Sequence, residues 1–373
     1  MSRSSAHQAR TTTPRNRHAS HDTFSPEGRR GRSLIGPLLA LLLAACATTP
    51  EVGWQARHAA SEALREAVRF AEDPLPDAWT PVAVTTTPVP LNAPALEDGT
   101  QALVYAGGLE IRSGFNRLHG LSDIDFADNG LDFWSIGDEG LLVRGRVVLG
   151  ADGRLTGVEG VEVRPLEDPD GQPLIPKYLA DAEGLTRMPN GELLISFERD
   201  HRVWRYDGSD GRWLGERVIP DFAFTENDGM EGIAAAGEAD AFWAAGESGG
   251  LWRCEITCET WTRPPGEPLQ DDDLRVVSLA LEPGGADVFI LERAYHSARN
   301  TNTIHIQSLD IDRFRAAPNP WRSLARFTAP ATVDNFEGLA AVRRPDGGVR
   351  LYILSDDNFN ASQRTLLMAF DVR

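Results

Sequence analysis

Four short stretches of this chain are near copies of one another: His119-Gly120-Leu121-Ser122, Ala182-Glu183-Gly184-Leu185, Met230-Glu231-Gly232-Ile233 and Phe336-Glu337-Gly338-Leu339. Each precedes a short apolar run that ends in acid: Phe133 to Glu139, Leu194 to Glu198, Phe242 to Glu247 and Leu351 to Asp357. A fifth copy, Val277-Ser278-Leu279 with Val288 to Glu292, has lost the Glu-Gly pair and keeps the rest. Self-similarity at about 45 to 60 residues, with several short strands per unit, implies a repeat architecture of the propeller kind.

Strand signals are dense from Leu103 onward, bounded by turn strings such as Ala151-Asp152-Gly153, Pro189-Asn190-Gly191 and Pro345-Asp346-Gly347. The last copy holds only about three strands before Arg373. Either Ala102-Leu103-Val104-Tyr105 or Gly107-Gly108-Leu109-Glu110-Ile111 would supply the missing strand, pairing the two ends of the domain and removing exposed edges. The predicted fold is all-β: a propeller of five to six blades over residues 101–373, closed by its N- and C-terminal strands. The stretch from His119 to Glu183 leaves room for either a large insertion or a sixth blade.

The first hundred residues read differently. Arg29, Arg30 and Arg32 precede an apolar run from Leu34 to Ala45 that is too short to span a membrane. It ends in Leu43-Ala44-Ala45-Cys46, which resembles a lipobox. Residues 1–45 are thus predicted to be a lipoprotein signal peptide, with Cys46 acylated and the protein tethered to the bacterial outer membrane. Residues 46–100 are predicted to form the tether: one helix from Trp54 to Glu72, then a Pro/Thr-rich linker around Thr85-Thr86-Thr87-Pro88.

The net charge is −18, and only Lys177 is a lysine. So acidic a body repels nucleic acid and anionic lipid, and a polyanionic substrate would need a cation to bridge it. Two further cysteines, Cys254 and Cys258, flank Glu255-Ile256-Thr257 in a hairpin pattern. In an oxidising compartment they are expected to form a disulfide.

Propeller symmetry would gather the repeated acids into rings: Glu183, Glu231 and Glu337 at one strand start, and Glu198, Glu247, Glu292 and Asp356 at one strand end. Converging carboxylates need a cation, an arginine or a raised pKa. The readings are a structural corner, a calcium site built on Glu183, Glu231 and Glu337, or acid/base work. Glu198-Arg199 and Glu292-Arg293 are adjacent pairs, and neighbours on a strand face opposite ways. Gly246-Glu247-Ser248-Gly249-Gly250 matches the G-x-S-x-G string. A strand follows it where a nucleophile elbow needs a helix.

His119 to Asp125, Asp181 to Leu185, Leu291-Glu292-Arg293 and Ser355 to Phe359 together resemble the phytase-like family described as having esterase-like activity of phytase. The resemblance runs from about Gly107 to Arg373 and carries over at Glu183, Glu292, Arg293, Asp356, Asn358 and Phe359. It departs at His119, where another glycine is often found. It implies an exported β-propeller with an esterase-like activity; the acidic charge adds the expectation of a calcium-assisted hydrolase of phosphoric or carboxylic esters, its cation offsetting the carboxylates. The alternative is a non-catalytic propeller that binds a small ligand or an envelope partner.

Overall fold

Hydrophobic alternation in the five copies feeds two neighbours at once. Along Val288-Phe289-Ile290-Leu291, Val288 and Ile290 pack toward the preceding copy, while Phe289 and Leu291 pack toward the following one. A strand buried on both faces reads as one continuous apolar run. The computed structural model describes residues 75–93 and 102–373, except 239, 267–268, 271 and 315–319. The leader, Cys46 and the helix expected from Trp54 to Glu72 lie outside the described residues.

Five antiparallel sheets form the blades. Blade one holds β4 (Leu121–Phe126), β5 (Asp132–Gly137), β6 (Leu141–Leu149) and β7 (Leu155–Pro165), with β1 (Thr80–Pro81) on its edge. Blade two is β8 (Ala182–Arg187), β9 (Leu193–Phe197), β10 (Arg202–Tyr206) and β11 (Trp213–Arg217). Blade three is β12 (Gly232–Ala235), β13 (Phe242–Ala245), β14 (Leu251–Cys254) and β15 (Cys258–Thr262). Blade four is β16 (Arg275–Leu281), β17 (Asp287–His296), β18 (Thr301–Asp310) and β19 (Trp321–Thr328). Blade five is β20 (Asn335–Arg343), β21 (Val349–Asp356) and β22 (Leu366–Val372), completed by β3 (Leu103–Ser113) and β2 (Val84–Pro88).

The ring closes as expected. β22 pairs with β3, Met368 opposite Gly108 and Val372 opposite Leu103. The blades number five. The long stretch before Glu183 is spent on the β6–β7 hairpin, the Asp168 loop and the one-turn helix α1 (Lys177–Ala180). The Pro/Thr-rich stretch expected to be linker is a pair of edge strands where it is described. Thr80 lies opposite Val163 in β7, and Thr86 opposite Ile111 in β3. Proline is tolerated there because an edge strand leaves one row of N–H groups unused. The Cys254–Cys258 bond joins β14 to β15. So short a loop contributes about 2 kcal/mol or less by chain entropy.

The inner strands β4, β8, β12, β16 and β20 surround the axis and contact one another in turn. Four of them carry a bulge at the same level: Leu121 to Asp123, Ala182 to Leu185, Val276 to Ser278 and Phe336 to Gly338. By register, Asp123, Gly184, Gly232, Ser278 and Gly338 are equivalent. A Cβ on Gly338 would lie 3.1 Å from Asp123 Cα, and one on Gly184 2.7 Å from the Glu231 carbonyl. Three blades therefore use glycine because the axis has no room for a side chain there.

The space is filled from blade one. The Asp123 side chain is fully buried. Its Oδ2 accepts the Leu185 N–H at 2.8 Å, and its Oδ1 accepts the Leu339 N–H at 3.2 Å, the Ser278 hydroxyl at 2.9 Å and its own Ile124 N–H at 2.9 Å. One carboxyl thus ties blades two, four and five to blade one. Asp123→Ala should strand these donors in a dry core and cost at least about 3 kcal/mol. Urea unfolding of the two proteins checks this; a loss under about 1 kcal/mol would mean the blades hold together without the clasp.

Candidate functional site

The residues just before the five inner-ring positions share one place in the repeat, reached through a bulge in four blades and directly in β12. Those residues are Ser122, Glu183, Glu231, Val277 and Glu337, so blades two, three and five place a glutamate at the mouth of the axis. The second ring follows from the partner strands. Asp123, Gly232, Ser278 and Gly338 pair with Ile136, Ala245, Leu291 and Leu354. Two residues further on stand Asp138, Glu247, Arg293 and Asp356, and Glu198 holds this place in blade two.

This register corrects one expectation. Glu292 does not join the ring of acids; Arg293 does. By register Glu292 corresponds to Gly246 and Ser355, and Arg293 to Glu247 and Asp356, and a one-residue shift in a strand reverses the face. Glu292 lies on the other face, hydrogen-bonded to His305. Arg293 ion-pairs Glu337 at 3.0 Å.

The rest of the mouth is built around blade two. Asp181, at the end of α1, is bound by Arg199 and lies 3.1 Å from Lys177 Nζ. Lys177 also binds Asp138. Arg199 takes a left-handed φ of 60° at the turn after β9, which brings it back onto Asp181. Glu247 faces Arg275 at 3.7 Å. Glu337 also accepts the Asn335 amide at 2.8 Å. Of the three glutamates expected to hold calcium, Glu337 is engaged by Arg293 and Asn335. The tight carboxylate group is Asp181, Glu183 and Glu198, with one oxygen of each within 4.8 Å of the others. That is about the span across a calcium ion with oxygens at 2.3–2.6 Å.

Asn358 is a turn residue at φ 49° whose N–H donates to Asp356 Oδ1 at 2.6 Å, and its side chain is exposed. Phe359, also left-handed, lies beside the His119 ring. His119 Nδ1 sits 2.6 Å from Asp357 Oδ2. Ser248 of the G-x-S-x-G string hydrogen-bonds Asp228 on a turn. Asp138, Asp181, Lys177 and Arg275 were not singled out from the sequence as site residues. Asp138 ends the first apolar run and follows the repeat rule. Arg275 follows no repeat position.

Crowding sets the electrostatics. Burial, then the charges of Glu231 and Asp181, pushes Glu183 well above the usual carboxylate range. Burial, then Glu247 and Glu198, does the same to Glu231. Glu198 is pushed up to about 7 by burial and Asp181, against the pull of Arg199. Asp356 is pushed up to about 9 by burial and Glu337. Burial also raises Glu337, although Arg293 opposes it. Such an arrangement can bind a cation, or take and give protons near neutral pH.

Residues 116–359 match the phytase-like family described as "Esterase-like activity of phytase". No curated protein matches the chain. The solved structure of U3-55K aligns with 73% of this chain and 99% of its own, at 8% identity and a TM-score of 0.37. A likeness that loose carries no argument.

Raised carboxyls make stability depend on pH with a definite sign. The folded chain holds protons that the unfolded chain releases, so stability present below the ordinary carboxyl range is lost as pH rises through the folded values. The window runs from about 4.5 up through Glu198, at about 7, and Asp356, at about 9. In EDTA the melting temperature should fall from pH 5 to pH 9, and Glu198→Gln should flatten the lower half of that fall. A flat wild-type profile would show that Lys177, Arg199, Arg275 and Arg293 already offset the ring.

Proposed function

This chain belongs to the phytase-like family, and from that premise we propose a cation-assisted hydrolase of phosphoric or carboxylic esters acting at the acidic mouth of the axis. One observation carries the reading. Among the described residues, Asp138, Asp181, Glu183, Glu198, Glu231, Glu247, Glu337 and Asp356 face only the cations Lys177, Arg199, Arg275 and Arg293. An anionic ester meets net repulsion there unless a cation joins it.

Asp181, Glu183 and Glu198 would hold that cation, with Glu231 next to them. Bound calcium would polarise the ester and lower the pKa of a water. The chain's own groups do the remainder. Glu198, poised at about 7, takes a proton from the attacking water and can return it to the leaving oxygen. Arg293 Nε has no hydrogen-bond partner among the described residues. It offers a donor to a phosphate or carboxylate oxygen while another nitrogen of the same guanidinium holds Glu337. We also propose that Cys46 is lipidated and anchors the protein in the outer membrane. Cys46→Ser should then move it from the membrane fraction to the soluble fraction.

Calcium at about 100 times its Kd should stabilise the protein by roughly 2.7 kcal/mol. Glu183→Gln with Glu198→Gln should abolish that gain. Hydrolysis of p-nitrophenyl phosphate should need calcium and rise with pH over a range below the cation-free Glu198 value of about 7, since a bound cation favours the carboxylate. Glu198→Gln alone should lower kcat by roughly 100-fold or more. Calcium binding without turnover of phosphate or acyl esters would favour the ligand-binding propeller. No calcium effect at all would leave the ring a structural network.

A further inference from the structure

The glutamate displaced from the mouth has its own constellation. Glu292 and His305 are cross-strand partners on β17 and β18, and the β18–β19 bulge after Ile306 brings Ser323 diagonally beside His305. Glu292 Oε2 lies 2.7 Å from His305 Nδ1, and His305 Nε2 lies 2.9 Å from Ser323 Oγ. A carboxylate only accepts, so Nδ1 carries the ring proton and donates it to Glu292. Nε2 is left to accept from the Ser323 hydroxyl. This is the order of an acid, a base and a hydroxyl nucleophile, in which each group fixes the next.

Location separates this relay from a simple sheet ladder. All three side chains lie on the face of blade four that packs against blade three, above the apolar cluster of Leu251, Ile290 and Trp321. Glu292 and His305 keep 16% and 15% of their side-chain surface, and Ser323 is partly exposed. Glu292 and Gln307, the cross-strand partners of His305 and Ser323, line a groove of about 340 Å³ between the blades together with Trp321, Thr262 and the Gly249-Gly250 turn; His305 and Ser323 are not themselves among its walls. His296 makes a similar chain with Asp272 and Thr303. There the hydroxyl is buried and the acid is exposed, so no substrate reaches the nucleophile position.

We propose that Glu292, His305 and Ser323 form a second active site, a metal-independent serine esterase for small carboxylic esters bound in the blade three–blade four groove. Ser323 Oγ attacks the ester carbonyl carbon while its proton passes to His305 Nε2. The C–O bond to the alcohol breaks, and the alcohol leaves with that proton. Water then attacks the acyl-serine, gives a proton to His305, and the Ser323–acyl bond breaks as Oγ recovers it. Water is the only co-reactant. Ser323 and His305 are catalytic residues; Glu292 is a positioning residue.

The test uses the full chain in EDTA, where the mouth is stripped of divalent cation. A fluorophosphonate probe should add to Ser323, located by peptide mass mapping, and p-nitrophenyl acetate should be hydrolysed. Ser323→Ala should remove both, and His305→Ala should slow both by roughly 1,000-fold or more. Glu292→Gln should lower kcat with KM and melting temperature unchanged, whereas a merely structural glutamate would move the melting temperature and leave kcat alone. Calcium-dependent hydrolysis of p-nitrophenyl phosphate by the wild type is measured separately, so failure of the mouth reading and failure of this one are separable. An adduct elsewhere, no adduct on the folded wild type, or full EDTA-resistant hydrolysis by Ser323→Ala overturns the proposal.

Discussion

The blades meet on one carboxyl. Asp123 occupies the axis at a level where three strands have only glycine, and it accepts hydrogen bonds from blades two, four and five. Burial pushes its pKa well up, and those same donors pull it back. The cost of taking the group out of water is met by donors that would otherwise be unpaired in the same dry space. Ser278 holds the equivalent position in blade four and shares the work. Its hydroxyl also accepts the Leu339 N–H at 3.1 Å. Asp125, two residues along, repeats the device between blades one and two by accepting Arg187 N–H at 2.7 Å.

Closing the axis this way has a consequence for the face above it. Strands that converge on a filled bore cannot keep regular pairing, and four of the five release the strain as a bulge at that level. In blades two and five the bulged residue is a glutamate, and in blade three Glu231 takes the same place without a bulge, whereas Ser122 and Val277 are buried there. Three blades put glutamate there, so the feature that plugs the propeller also concentrates its acids. Blade four departs at both ring positions. It offers Val277 for a glutamate and Arg293 for the acid of the second ring. A repeat that breaks its own rule at one blade makes the mouth asymmetric, with the tightest carboxylate group on blade two and an arginine donor on blade four. Departures from internal consistency of this kind concentrate where a protein does chemistry.

The five copies, their turns and the closure by β3 were legible because each rests on local patterning: apolar alternation, Asn-Gly and Asp-Gly turns, and a last unit short of a strand. The acids at Glu183, Glu198, Glu231, Glu247, Glu337 and Asp356 were legible because repeat position maps directly onto the axis. Glu292 was misplaced because it is the first acid after the apolar run Val288–Leu291, whereas the register puts the ring position one residue later, at Arg293. The edge strands at Thr80–Pro81 and Val84–Pro88 were hidden by composition, since proline and threonine runs read as linker until a partner edge exists for them. Arg275 and Lys177 enter the mouth from sequence-distant segments that no repeat marks. His305 and Ser323 sit on different strands from Glu292, and only the cross-strand register joins them.

That register gives adjacent residues of β17 separate roles. Arg293 faces blade five and the mouth, where it holds Glu337; Glu292 faces blade three and the groove, where it orients His305. Two-residue periodicity makes such a division available on any strand buried between two neighbours. It is available in blade four because that blade has no acid to contribute to the ring. In blade two the Glu-Arg string sits one register place later: Glu198 itself holds the ring position, and the left-handed turn at Arg199 folds Arg199 back, so that both side chains reach the Asp181 cluster. The difference between the two Glu-Arg pairs is therefore one of register and backbone. The β17 strand continues through Arg293 to His296 and keeps the faces apart, whereas β9 ends at Phe197 and lets them converge.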